Sequence, residues 1–141
     1  MHGESQMNNL LANTTILVID DDADMCELLR TILCHEGANV LTANTVEDAL
    51  DLCRRTPPHL VVSDMRLGLS DGFAVIEAIR EYNREYRGFT PAIALTGFVT
   101  SGDEQRALAA GFDAYVHKPF HASELISLIT SLLRRSPDLA A

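Results

Sequence analysis

The sequence predicts an α/β domain, a parallel sheet covered by helices on both faces. Three observations carry that expectation. Short apolar runs alternate with amphipathic stretches along nearly the whole chain, as repeated βα units require. The runs read as buried strands, the usual condition of strands in a parallel sheet. The chain has 141 residues, 47% of them hydrophobic and 22% charged, enough for one domain with a sizeable core and too apolar for a disordered segment.

Thr15–Asp20 (TILVID) reads as the first strand. Asp24 to about Glu36 follows as a helix, with Met25, Leu28, Leu29, Ile32 and Leu33 on one face. Asp24 and Glu27 have capping-box spacing at its start, and Gly37 suits its end. Asn39–Ala43 is a second, weaker strand. Thr45–Arg55 is the second helix, opened by Thr45 with Asp48 and stopped by Pro57 and Pro58. Leu60–Asp64 is the third strand, and Phe73 to about Tyr86 the third helix. Ala92–Thr96 is the fourth strand, and Ser101–Ala110 the fourth helix, with Ser101 and Glu104 as a capping pair and Gly111 as its stop. Ala114–His117 is the fifth strand. His121–Arg135 is the last helix, with Leu125, Ile126, Leu128, Ile129, Leu132 and Leu133 facing inward. Residues 1–13 read as a loose polar arm, 14–135 as the domain, and 136–141 as a tail or the start of a cut linker. The sequence carries no internal repeat and no low-complexity tract.

Acidic residues outnumber basic ones by 20 to 11, a net charge of −9. That disfavours nucleic-acid binding by general electrostatics and favours basic partners. No stretch approaches the roughly 20 apolar residues of a membrane span. The first residues lack the basic flank and apolar run of a secretory signal. Three cysteines make no disulfide framework, and Cys26, Cys34 and Cys53 read as small core or surface thiols. The expected compartment is a reduced cytoplasm.

Ligands of such sheets bind at the carboxyl edge of the strands. The first strand ends in Asp20-Asp21-Asp22, the third in Asp64, the fourth in Thr96-Gly97 and the fifth in His117-Lys118-Pro119. At least two acids, a third acid, a hydroxyl and a lysine therefore converge on one edge. Carboxylates about 5 Å apart repel by roughly 3 kcal/mol per pair at an effective dielectric near 20. Such a group must raise a pKa, stay wet or bind a cation. Oxygen donors of this kind favour Mg²⁺, often with a phosphate. A carboxylate beside a metal, a lysine and a hydroxyl can then attack phosphorus.

The segments ILVIDDD, VVSDMRLGLSDG, AIALTG and DAYVHKPF, in that order, resemble the receiver domain of two-component response regulators over roughly Thr14–Arg135. The resemblance implies a flavodoxin-like sheet of order 2-1-3-4-5. It implies Asp64 as phosphoacceptor, accepting the group from a histidine kinase or a histidine phosphotransfer protein. It implies Mg²⁺ held by Asp21 directly, Asp20 partly through water, Asp64, and the backbone carbonyl of Arg66. Lys118 and Thr96 would contact the phosphoryl group, and Tyr115 would turn inward as Thr96 moves. The Lys118–Pro119 bond would be cis. A downstream protein would bind the face made by the fourth helix, fifth strand and fifth helix, and a homodimer is a further possible partner. Such a domain promotes its own phosphorylation and dephosphorylation without being an enzyme, binds no nucleic acid or membrane itself, and stands alone or is excised from a larger regulator. Gly68 replaces a common proline, and Phe98 and Arg66 place bulk near the mouth of the site.

Other readings fit less well. Asp20, Asp22 and Asp24 resemble a calcium loop, but Met25 and Thr31 stand where that loop needs glycine and an acid. Haloacid-dehalogenase-type phosphatases share the D-x-D but leave Asp64 and Lys118 unexplained. A receiver-like module acting without phosphorylation is a further alternative, and the intact acid set argues against it. Asp71-Gly72 reads as a turn, His117 as a packed or surface histidine, and the remaining histidines form no metal set.

Overall fold

The computed structural model describes residues 9–67, 70–97 and 101–135, with the side chains of 66–67, 70–72 and 101–104 left undescribed. In chain order the elements are β1 (Thr15–Ile19), α1 (Ala23–His35), β2 (Asn39–Ala43), α2 (Val46–Arg55), β3 (Leu60–Asp64), β4 (Arg66–Leu67), β5 (Ser70–Asp71), α3 (Gly72–Tyr86), β6 (Ala92–Thr96), α4 (Ser101–Ala110), β7 (Ala114–His117) and α5 (Ala122–Arg135).

The five apolar runs form one parallel sheet of order β2-β1-β3-β6-β7. Counted as the five main strands, this is the expected flavodoxin-like order 2-1-3-4-5. The order reverses between β1 and β3, so the switch point lies between the ends of those strands. Ile19 pairs with Ser63 and Thr96 with His117, which brings Asp20 beside Asp64 and Thr96 beside Lys118.

Side chains alternate across the strands and divide the core in two. Ile16, Val18, Leu60, Val62, Ile93 and Leu95 face α1 and α5, where they meet Leu29, Leu33, Leu125 and Ile129. Leu17, Ile19, Val61, Ala92 and Ala94 face the other side, where they meet Cys53, Val75, Ile76, Ile79 and Ala107. Each fully buried Leu or Ile side chain contributes about 1.5–3 kcal/mol. The only described side chain of α4 that is fully buried is Ala107.

Three local features depart from the sequence pattern. The cap of α1 is Asp22, not Asp24. Asp22 is extended, and its carboxylate accepts from the amides of Asp24 and Met25 at 2.9 and 3.4 Å, while Asp24 lies in the first turn. After Asp64 the chain makes a short antiparallel hairpin, β4 with β5, because two-residue strands leave no periodicity to read. Residues 9–13 are not a loose extension of the domain: Leu11 is fully buried, and its amide donates to the Glu36 carbonyl at 2.9 Å. Thr45 caps α2 as expected, accepting from the Asp48 amide at 3.0 Å. Gly68, Phe98, residues 1–8 and the tail 136–141 lie outside the described residues, as do the side chains of Arg66, Ser101 and Glu104. No helix among the described residues is long and apolar enough to cross a membrane.

Candidate functional site

The carboxyl edge of the sheet gathers the residues that end its strands. One oxygen of each of Asp20, Asp21 and Asp64 lies within 4.8 Å of the others. The Lys118 Nζ stands between two of these acids, 3.7 Å from Asp20 Oδ2 and 3.6 Å from Asp64 Oδ2. Lys118 is the only lysine in the chain. The backbone fixes the four positions. The Asp20 amide donates to the Ala43 carbonyl at 3.0 Å, the Met65 amide to Leu95 at 3.0 Å, and the Lys118 amide to Thr96 at 2.8 Å. The Lys118–Pro119 peptide is cis.

The neighbouring acids differ in burial. Asp20 is 1% exposed and Asp21 is exposed, because Asp20 still points into the sheet while Asp21 has turned out of it. Oδ1 of Asp20 accepts from the Asp22 amide at 2.9 Å. Its Oδ2 is buried and accepts no hydrogen bond from the described residues. Burial, and then the charges of Asp64 and Asp21, push the Asp20 carboxyl above the ordinary carboxylate range; the Asp22 amide and Lys118 pull the other way. At the separation of the cluster, Asp20 and Asp64 repel by roughly 3 kcal/mol, and a single lysine serves both.

This donor set fits a small hard cation. Three carboxylates converge, and the buried Asp20 Oδ2, with the Lys118 ammonium 3.7 Å away, accepts no hydrogen bond from the described residues. Thr96 is buried at the end of β6. Tyr115 is half-buried on β7, with its ring edge-on to His117 at 5.4 Å; His117 therefore packs against Tyr115 as a strand histidine. The backbone of Arg66 opens the hairpin two residues after Asp64.

One neighbour of the site escaped the sequence reading. A cleft of about 330 Å³ opens beside Asp20 and Asp21, lined also by Glu27, Arg30, Asn44 and Asp48. Arg30 leans across it to the Val40 carbonyl and the Thr42 hydroxyl, each at 3.3 Å. No sequence spacing links Arg30 to the strand ends. Cys26 borders the same cleft, its thiol donating to the Asp20 carbonyl at 3.3 Å.

The response regulator receiver domain family model matches residues 16–130. An uncharacterized 14.6 kDa protein of Leptolyngbya boryana is 45% identical over 120 residues, 84% of this chain and 89% of that protein. A probable transcriptional regulator, ycf27, of Porphyridium aerugineum is 38% identical over 85% of this chain, and the match spans 48% of the regulator's own length. Among solved structures, a two-component response regulator from Clostridium difficile superposes with a TM-score of 0.79 at 27% identity, covering 87% of this chain and 98% of that one.

Proposed function

The chain belongs to the response regulator receiver domain family of two-component signalling, and from that premise we propose that it takes a phosphoryl group from a phosphohistidine onto Asp64 with Mg²⁺ bound beside it. The observation that carries the reading is the meeting of Asp20, Asp21, Asp64 and Lys118 in one pocket, with the buried Oδ2 of Asp20 accepting no hydrogen bond from the described residues.

An oxygen of Asp64 attacks phosphorus, the phosphorus–nitrogen bond of phosphohistidine breaks, and the imidazole leaves and takes up a proton. The product on this chain is an acyl phosphate. Asp20, Asp21, Asp64 and the Arg66 carbonyl would hold Mg²⁺, which when bound supplies charge neutralisation at the phosphoryl oxygens. Lys118 meets the same oxygens with its ammonium, and Thr96 donates its hydroxyl to them. The new charge of about −2 draws Thr96 inward, Tyr115 follows, and the face of α4, β7 and α5 changes for a downstream protein. The donor is a histidine kinase or a histidine phosphotransfer protein. The three free cysteines, Cys26, Cys34 and Cys53, suit a reducing cytoplasm.

Incubation with acetyl phosphate and Mg²⁺, followed by intact-mass spectrometry, tests this. One added phosphoryl mass is expected, absent without Mg²⁺ and absent in Asp64→Asn. No mass gain in the unaltered protein, or the same gain in Asp64→Asn, overturns the reading and leaves a module that works through contacts alone.

A further inference from the structure

The pocket needs Lys118 beside Asp64, yet Lys118 follows the least anchored strand of the sheet. β7 has four residues, lies at the sheet edge and pairs only with β6. Its inward and outward alternation forbids a slip of one residue but not a slip of two. A slip of two residues keeps the same side chains facing inward and carries Lys118 about 6.6 Å along the strand, out of reach of both acids.

The register is held at the opposite end. Asp113, just before β7, and Ala92, the first residue of β6, exchange two hydrogen bonds: the Asp113 amide donates to the Ala92 carbonyl at 2.8 Å, and the Ala92 amide donates to Asp113 Oδ2 at 2.8 Å. Arg80 of α3 closes the same corner. Its Nη2 donates to Asp113 Oδ2 at 2.8 Å and to the Gly111 carbonyl at 2.7 Å, and its Nε donates to Gly111 at 3.2 Å. Its Nη1 donates to the Thr90 carbonyl at 2.8 Å and to Asn83 Oδ1 at 2.9 Å. One planar, mostly buried guanidinium thus binds the chain ahead of β6 and the chain ahead of β7, in a fork geometry that a lysine cannot reproduce. Gly111 makes room for it: φ is +123°, and a Cβ there would stand 3.3 Å from Ile76 Cγ1 and 3.5 Å from Arg80 Cγ.

We infer that Arg80 and Asp113 are positioning residues for the phosphoryl-transfer pocket, fixing the β6–β7 register and through it the place of Lys118. The inference rests on the reading above, in which Lys118 meets the phosphoryl group.

Lys118 being the only lysine, lysine-selective ¹³C labelling gives one side-chain NMR signal. In Arg80→Met that signal moves toward the position of free lysine, whereas Tyr82→Phe, which removes a hydrogen bond from α3 to the Cys53 carbonyl of α2, leaves it in place. Phosphoryl uptake from acetyl phosphate, timed by intact mass, falls about tenfold in Arg80→Met. The same substitution causes no further fall in a Lys118→Met background that still takes up phosphate. Mg²⁺ affinity by calorimetry does not fall, because Asp20, Asp21 and Asp64 are carried by β1 and β3 rather than β7, and a displaced Lys118 no longer competes with the cation for Asp20 and Asp64. Should Arg80→Met fail to fold, Asp113→Asn, which keeps an acceptor for Ala92 but drops the charge facing Arg80, moves the signal in the same direction by less. An unmoved lysine signal overturns the positioning inference alone. Full uptake by Lys118→Met removes the role of Lys118, and the inference with it.

Discussion

Asp20 is a residue whose chemistry the fold changes. Its raised carboxyl pKa, caused first by burial, means that the folded, metal-free protein holds this proton more tightly than the unfolded chain does. Stability therefore falls as pH rises from the ordinary carboxylate range through the raised value. Asp20→Asn is expected to flatten that slope and to stabilise the metal-free protein by about 1 kcal/mol at neutral pH. Urea melts over an acid-to-neutral series check it, and an unchanged slope counts against it. The cysteines give a second ordering. Cys34 is exposed, burial with the nearby Asp20 and Asp22 raises Cys26, and burial pushes Cys53 up to about 11. Iodoacetamide at neutral pH is expected to alkylate Cys34 first, Cys26 slowly and Cys53 only on unfolding; peptide mapping reads the order, and early labelling of Cys53 contradicts it. The identity of the pocket residues was legible because each ends an apolar run. Arg30 and Arg80 were not, since each is set by a helix face whose azimuth no spacing along the chain reports.

The elements differ in how openly the sequence declares them. The strands and helices lie within a residue or two of their apolar patterns, because burial and the 3.6-residue period agree throughout. The cap of α1 was half legible: Asp22 and Asp24 both carry a capping side chain, the spacing to Glu27 pointed to Asp24, and backbone geometry selects Asp22. Asp22→Ala is expected to cost about 1 kcal/mol and Asp24→Ala clearly less, measured by chemical denaturation; equal costs would return the cap to Asp24. At the far end of α4, Gly111→Ala is expected to destabilise by more than about 1 kcal/mol, since its φ is left-handed and the added methyl meets Ile76.

The molecule as a whole joins two cores to one charged edge. Periodicity alone implied a sheet covered on both faces; the order of its strands came from the resemblance to receiver domains. A cation that binds only the folded protein must stabilise it, by about 2.7 kcal/mol at a hundred times its Kd. Thermal melts across a Mg²⁺ series are expected to show that rise and to lose it in Asp21→Asn; an indifferent melting point would remove the metal from the account. The two cores also hold their helices unequally. α1 and α5 are locked in by several large aliphatic chains each, whereas among the described side chains of α4 only Ala107 is fully buried, with Ala110 partly buried against the same core. A methyl group forfeits far less on leaving its seat than a leucine does. Among the described side chains, then, the lightest grip falls on α4, the helix that packs beside the strand delivering Lys118, and a push too small to shift its four companions is expected to move it first.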